Sequence, residues 1–566
     1  MPDTHPFRLR TDPARFEVVK NALYAAAEEM KIVLAKTAYS PLLKVAGDYS
    51  CGIFDRAGNM VAQGPDLPIH LGSMPDAVRA VVRAFPEVLP GDVFIHNDPY
   101  QGGSHLPDVN VVAPAFLDDR LLGFGCVRAH WPDIGSATPG SYGAVTEIYG
   151  EGLRLPPVRL YREGKPEPGI EAIIFANVRT PSERMGDLRA QVAACWRAGQ
   201  RMAALARKYG ADELLGIMDE VLDYSETMMR AALAALPDGE ASFEDILDGD
   251  GVLAPGATED ETFRIKLRIT KRGDAITADF AGSDPQVPGP MNAPLTVTAS
   301  GVFCALKMIA DPHSLIPPNS GCWRPVRVLA PEGSVVNARL PAPVVYANHE
   351  ISHRVAEMVM AAMARITPST VMAGSQGTSA IMTFGGVDYR TGERYVSYES
   401  VKGGFGARPI KDGINGVAST VTNMSNTPIE MIEMSFPVRV EEYALLPDSG
   451  GAGTWRGGLG VRRVWRVLEQ GSHAAVCCER TVTPPFGLAG GLAGAPARLM
   501  LELPDGSSRK LVSKGGFIAP AGSRVVMEAP GSGGYGLPCE RNRAQIAEDV
   551  RDGYVTEAAA RRDYGV

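Results

Sequence analysis

The chain has 566 residues, 45% apolar and 21% charged, with a formal net charge of -9. That length exceeds one ordinary core, so two to four domains are expected, and the composition is that of a globular protein able to bury them. The charges are mixed in sign with no basic stripe, which argues against a nucleic-acid partner.

No run of about 18 apolar residues recommends a membrane span, and residues 1–16 carry no apolar leader. The eight cysteines form no CxxC pair. They read as reduced, mostly buried thiols of a cytoplasmic protein and not as a thiolate zinc site.

In chain order, residues 13–38 predict a helix. Pro13 suits its first turn, and Phe16, Val19, Leu23, Met30 and Leu34 form one apolar face. Strands are expected at Ser50–Asp55 and Met60–Gln63, around the turn Arg56-Ala57-Gly58-Asn59. Ala77–Phe85 reads as a helix and Asp92–His96 as a strand. After a Gly-rich loop, Val109–Leu117 and Leu121–Ala129 read as strands parted by Asp118-Asp119-Arg120.

Residues 181–236 hold two helices separated by Gly210, best read as scaffold or subunit interface. Strands return between 240 and 345, most clearly at Thr262–Thr270 and Ala275–Phe280, and His349–Ile366 is helical. From 370 to about 530 the pattern is Gly-rich and strand-like, and Asn542–Tyr564 closes the chain as a short charged helix. The expected class is α+β and multi-lobed, with mixed β-sheets, flanking helices and a Gly-rich, β-dominated C-terminal part. The expected lobes are 1–240, carrying the helical hairpin at 181–236, then 241–370 and 371–566.

The densest chemical signal is His96-Asn97-Asp98-Pro99-Tyr100-Gln101-Gly102-Gly103-Ser104-His105-Leu106-Pro107-Asp108, followed by Arg128-Ala129-His130-Trp131-Pro132-Asp133. If the strands on either side of Asp119 form a hairpin, Asp108 lies opposite His130. Directly opposed β-carbons are about 4.5–5.5 Å apart, near enough to share a metal ion. His105 sits three residues upstream, on a turn that Pro107 keeps out of helix, and can fold over the same point. Two imidazoles and a carboxylate with open positions suit a catalytic divalent metal. Loop capping and surface hydrogen bonding are the plainer alternative.

His70, Asp98 and Glu147 are candidates for contacting substrate, with ordinary hydrogen bonding or solvation as the alternative. Glu151 stands in the same Gly-rich stretch as Glu147. Gly403-Gly404-Phe405-Gly406 lacks the lysine and Ser/Thr of a nucleotide loop; it suits a turn or a close approach to a ligand. Asn348, His349 and His353 lie near a helix start, where capping accounts for the asparagine. No GxxxxGK[S/T] sequence and no GxGxxG fingerprint running from a strand straight into a helix occurs, so nothing recommends an ATP site in this chain.

Many segments, in one order, resemble the hydantoinase B family, the B-type subunits of hydantoinases, 5-oxoprolinases, caprolactamases and ketone carboxylases. They include Thr37-Ala38-Tyr39-Ser40-Pro41, Asp48-Tyr49-Ser50-Cys51, His70-Leu71-Gly72-Ser73-Met74, Gly102-Gly103-Ser104-His105-Leu106-Pro107-Asp108, Ala176-Asn177-Val178-Arg179-Thr180-Pro181, Ser425-Asn426-Thr427-Pro428 and Gly533-Gly534-Tyr535-Gly536.

The resemblance implies a metal-binding subunit of an ATP-dependent cyclic-amide hydrolase. An A-type ATPase partner would bind ATP and phosphorylate the substrate carbonyl, in a hetero-oligomer such as a dimer of heterodimers. It implies the ligand set Asp48, His105, Asp108 and His130 for Zn²⁺ or Mn²⁺, Asp48 coming from the resemblance alone. A ketone carboxylase subunit and a non-catalytic scaffold for the ATPase are the alternatives.

Overall fold

A computed structural model describes residues 9–70, 72–253, 257 and 261–566; Leu71 of the His70-Leu71-Gly72 motif lies outside them. The first helix, α1 (Pro13–Thr37), begins where Pro13 follows Asp12, whose side chain accepts the Arg15 amide. Its expected apolar residues, Phe16 to Leu34, are all buried. Next come β1 (Tyr49–Phe54), β2 (Met60–Gln63), α2 (Met74–Ala84), β3 (Val93–His96), β4 (Asp108–Leu117), β5 (Arg120–His130), β6 (Val158–Arg162) and β7 (Lys165–Pro166). These strands form one antiparallel sheet in the order β2-β1-β5-β4-β3-β6-β7. Three helices follow: α3 (Pro168–Ala176), α4 (Pro181–Tyr209) and α5 (Ala211–Ala234), the last two parted at Gly210 as expected.

The β4–β5 hairpin has the anticipated register, with Asp108 opposite His130. It reaches that register by a different route. The loop has two residues, Asp118 and Asp119, and an irregularity between Ala115 and Phe116 restores the offset. Asp118 takes the left-handed conformation (φ 52°) that such tight loops demand.

Both faces of the sheet are covered. Val109, Val111, Ala113 and Ala115 join the main core with α1 and α4, while Val112, Phe94, Phe124 and Cys126 pack with Met74, Val78 and Val81 of α2. Gly125 lets α4 approach the sheet closely, since a β-carbon there would lie 2.7 Å from Ala198 Cβ. Gln191 of α4 accepts the Trp131 indole N–H (2.9 Å) and donates to the Val109 carbonyl (3.0 Å), tying the helix to the hairpin.

The second sheet comprises β8 (Gly239–Leu247), β9 (Phe263–Arg272) and β10 (Ala275–Asp279), then, after α6 (Leu295–Ala310), β11 (Val326–Leu329), which pairs parallel to β10. Helix α7 (Ile351–Met363) lies against α6 and is shorter than its predicted span, so His349 precedes it. Gly301 lets the two helices touch: a β-carbon there would sit 2.8 Å from the Ser352 carbonyl.

The rest is β-dominated, as the Gly-rich pattern implied. It contains β12 (Ile381–Val387), β13 (Arg394–Ser400), α8 (Ile429–Ser435), β14 (Val438–Leu445), β15 (Val461–Val467), β16 (Ser472–Cys477), β17 (Arg498–Glu502), β18 (Ser508–Lys510), β19 (Lys514–Ala519) and β20 (Arg524–Glu528). Two antiparallel sheets, β13-β12-β16-β19 and β14-β15-β20-β17-β18, enclose a core of Met382, Phe384, Trp465, Val476, Leu501 and Val525. The opposite face of the four-stranded sheet presents Ile381, Tyr398, Ala475 and Cys477 to the main core. The Gly403–Gly406 run serves chain-on-chain packing: β-carbons at Gly403, Gly404 and Gly406 would come within 2.0, 2.2 and 1.9 Å of Gln376, Gly458 and Ala373 oxygens. Helix α9 (Arg543–Arg551) lies near the C-terminus. Among the described residues no helix is long and apolar enough to cross a membrane. Seven of the eight cysteines are buried and all are unbridged.

A buried charge network joins these parts. Arg354 of α7 pairs with Asp245 of β8 (3.3 Å) and with Glu479; Arg480 pairs with Asp245 (3.0 Å) and Glu357 (2.6 Å); Lys514 of β19 pairs with Glu479 (2.5 Å). Removing one member strands the others without water. Arg354→Leu is expected to destabilise the chain by about 3–5 kcal/mol, read as a lower denaturant midpoint than wild type.

Candidate metal centre

The site grows out of one face of the first sheet. Along that face, apolar Phe124, Cys126 and Val112 give way to Arg128 and Asn110, which are hydrogen-bonded (2.8 Å), and then to His130 and Asp108 at the sheet end. Strand β1 flanks β5 in a register that places Tyr49 opposite Ala129, and the ladder continues when the His130 amide donates to the Asp48 carbonyl (3.0 Å). Asp48, His130 and Asp108 therefore stand in one row across three strands.

Two further segments close over this row. The turn Ser104–Pro107 brings the His105 Nε2 to 3.2 Å from Asp108 Oδ1. The segment before α7 brings His349. The ligand atoms of His105, His130 and His349 all lie within 4.8 Å of one another, and all three rings are buried. Tyr142 places its hydroxyl between the Nε2 atoms of His130 (3.3 Å) and His349. The Tyr398 ring lies 4.7 Å from His130, centroid to centroid, and closes another side.

The surrounding hydrogen bonds set orientation. The Val345 carbonyl holds His105 Nδ1 (3.0 Å), which leaves Nε2 to face the cluster. Asp108 Oδ2 accepts from Ser104 and from Asn348 Nδ2 (3.0 Å) and lies 3.5 Å from His70 Nε2. His70 in turn bonds Ser50 through Nδ1 (2.8 Å).

Burial pushes Asp108 upward, but His105 and His70 outweigh it and hold the carboxyl well below its usual range. Burial, then Asp108, lifts Asp48 well above its own, against the pull of Lys402. Burial lowers His130 to about 3 and takes His349 well below its ordinary value, with His105 adding to both. Imidazoles so buried stay neutral, the form that ligates metals. Asp48 Oδ2, His70 Nε2, His105 Nε2, Asp108 Oδ1 and His130 Nδ1 are buried without a hydrogen-bond partner. Orphaned donors and acceptors of this kind, gathered around carboxylates, fit a divalent cation with nitrogen and oxygen ligands.

The residues singled out from sequence separate cleanly. His105, Asp108, His130 and Asp48 come together, with His70 against Asp108. Asp98 instead accepts from the Tyr100 amide (3.0 Å) and the Gln101 side chain (2.9 Å), pinning the turn at 99–101. Glu147 is exposed, outside the buried cluster. Asn348 caps no helix; its amide is spent on Asp108. His349 joins the cluster, although its sequence context suggested only a helix start. The adjacent Asn-His pair was the visible signal, but nothing local connects it to a strand end more than two hundred residues earlier.

The fold and the site define a mixed α+β protein with a buried His/Asp centre at a sheet end. Residues 12–538 match the Hydantoinase B/oxoprolinase family, and the chain belongs to that family. The beta subunit of the caprolactamase of Pseudomonas jessenii is 35% identical, over 98% of this chain and 96% of its own. The B-type subunit of a putative D-/L-hydantoinase from a Pseudomonas species is 33% identical over 100% and 97%. The 5-oxoprolinase of Dictyostelium discoideum is 30% identical over 93% of this chain, which spans 40% of that protein. The crystal structure of the ATP-dependent caprolactamase superposes with a TM-score of 0.89 at 33% identity, covering 99% and 97% of the two chains. A nucleotide-free acetone carboxylase shares the fold, with a TM-score of 0.90 at 20% identity, over 98% of this chain and 80% of that one.

Burial also makes the chain acid-sensitive. His96 and His353, both lowered to about 3 chiefly by burial, stay neutral in the fold while the unfolded chain takes up protons near pH 6.5. Stability present above that value is lost as pH falls from about 6.5 toward 3. In chelator, His96→Phe is expected to move the acid-unfolding midpoint, followed by tryptophan fluorescence, to lower pH.

Proposed function

We propose that this chain is the catalytic, metal-holding subunit of an ATP-dependent hydrolase of cyclic amides, working with an A-type ATPase subunit. The observation that carries the proposal is the buried cluster of His105, His130 and His349 beside Asp108. The substrate class is supported by the relatives, whose names share a cyclic amide: caprolactam, hydantoin and 5-oxoproline. A partner is supported by two of those relatives, each named as one subunit of a larger enzyme, and ATP use by the description of the caprolactamase.

His105, His130 and His349 would hold the ion with Asp108, and Asp48 would complete the row. Zn²⁺ and Mn²⁺ both suit nitrogen and carboxylate ligands. When bound, such an ion supplies Lewis-acid polarisation of a carbonyl and lowers the pKa of water to about 7. The chain's own residues do the rest. The Val345 carbonyl keeps a proton on His105 Nδ1 and frees Nε2. Ser104 and Asn348 fix one oxygen of Asp108 and leave the other facing His105. Burial, foremost, keeps the Tyr142 phenol protonated at neutral pH, so its hydroxyl can donate to a substrate carbonyl or amide. Buried surroundings keep bulk water from the activated substrate.

The purified chain with its ATPase partner is expected to carry about one Zn²⁺ or Mn²⁺ per copy and to open hydantoin, 5-oxoproline or caprolactam only with ATP. His105→Ala is expected to lose metal and at least 100-fold in turnover. Full activity in the metal-free variant would leave only a scaffold role, and turnover requiring a ketone and bicarbonate would replace the hydrolase with a carboxylase. His349→Ala, outside the ligand set implied by resemblance, is expected to weaken metal binding at least tenfold in competition with a chromophoric chelator. Affinity unchanged from wild type would remove His349 from the set.

A further inference from the structure

Glu151 is a fully buried carboxyl group, four residues after the exposed acid Glu147. The loop is drawn inward by its backbone. Gly152 adopts φ 128°, a β-carbon there would lie 2.5 Å from the Ile134 carbonyl, and the Leu153 amide donates to that same carbonyl (2.8 Å). Glu151 Oε1 then accepts two adjacent amides, from Val344 (2.6 Å) and Val345 (2.7 Å). The carbonyl of Val345 is the group that holds His105 Nδ1 at 3.0 Å. Three and four residues further on, the same segment delivers Asn348 to Asp108 and His349 to the cluster.

We propose that Glu151 is a positioning residue of the metal centre: by gripping the Val344 and Val345 amides it sets the carbonyl that fixes the His105 tautomer, and it holds the segment that presents Asn348 and His349. This rests on reading the cluster as the working centre. Without Glu151 the two amides are left buried and unpaired, at about 1–3 kcal/mol each, so the segment shifts toward other acceptors and carries Val345, Asn348 and His349 with it. The wider fold does not depend on this grip. Tyr100 holds the Ala342 carbonyl (2.7 Å), Asn292 holds the Pro343 carbonyl (3.0 Å), and the Tyr346 amide reaches the Pro290 carbonyl (3.2 Å).

What the role requires is an acceptor at the end of a two-methylene arm. A negative charge is not required, since burial lifts this carboxyl to about 8 and leaves it largely protonated at neutral pH. Glutamine has the same reach and an acceptor oxygen; aspartate keeps the acid but falls short.

The full chain, labelled with ¹⁵N in its nine histidines and assigned with His105→Gln, tests this without activity. The wild type is expected to show His105 protonated at Nδ1. Glu151→Ala and Glu151→Asp lose that fixed tautomer and bind Zn²⁺ or Mn²⁺ about 10–100-fold more weakly, with wild-type far-ultraviolet circular dichroism. Glu151→Gln restores both readouts to within threefold of wild type. A Glu151→Ala protein with the wild-type His105 spectrum overturns the proposal, as does rescue by aspartate and not by glutamine. A wild type that binds neither metal defeats the metal reading alone, and the tautomer measurement still decides the role of Glu151.

Discussion

The register of three neighbouring strands is the constraint on which this molecule depends. Antiparallel pairing of β1, β5 and β4 puts every second side chain of each strand on one face, in rows a few ångströms apart. Where that face is covered by α2 the rows are apolar. At the sheet end they become Asp48, His130 and Asp108. A slip of one residue in either pairing would send one member to the opposite face, among the aliphatic side chains under α4. The hydrophobic pattern that buries Val109, Val111 and Ala113 on that other face thus also fixes the chemistry at the end of the strands.

The remaining groups are delivered by segments with no regular structure of their own, and the protein invests buried hydrogen bonds in holding them. Pro107 and the side chain of Ser104 shape the turn that carries His105. The stretch from Pro341 to Glu350 is tied to Tyr100, Asn292, Glu151 and Asp108, and beyond it the ion pairs of Arg354 lock α7 to Asp245 of β8 and to Glu479 just after β16. Tyr398, from the four-stranded sheet, lies against His130. The centre is therefore assembled from parts of the sequence far apart, and each reaches it through a different class of restraint: strand register, proline-limited turn, side-chain grip on backbone, and buried ion pair. Imidazoles and carboxylates packed so closely, with several lone pairs left unpaired, are costly in a folded chain unless a cation accepts them.

What was legible in the sequence was local. Helical spacing located α1, and Gly210 separated α4 from α5. An assumed hairpin centred on Asp119 put Asp108 opposite His130, though the real loop is one residue shorter and an irregularity makes up the difference. What was not legible was contact across long sequence separations. Asp48 belongs to the row only because β1 pairs with β5, and no local pattern states that pairing; it came from resemblance. His349 resembled a residue at a helix start, and only the packing of α7 and its preceding segment turns its ring into the cluster. Glu151 looked like its exposed neighbour Glu147, since a buried acid in a Gly-rich loop carries no periodic signature. The Gly403–Gly406 run likewise suggested a ligand loop or a turn, where the requirement is room for neighbouring chain.

In the proposed function one divalent ion sits among His105, His130 and His349, in contact with Asp108. The most direct measurement is anomalous diffraction from crystals of the protein as purified, recorded at the zinc and manganese absorption edges. A single strong peak is expected within coordination distance of those three imidazoles and the Asp108 carboxylate. A peak held by other residues, or an empty cluster in a protein that is fully active with its partner, would contradict it.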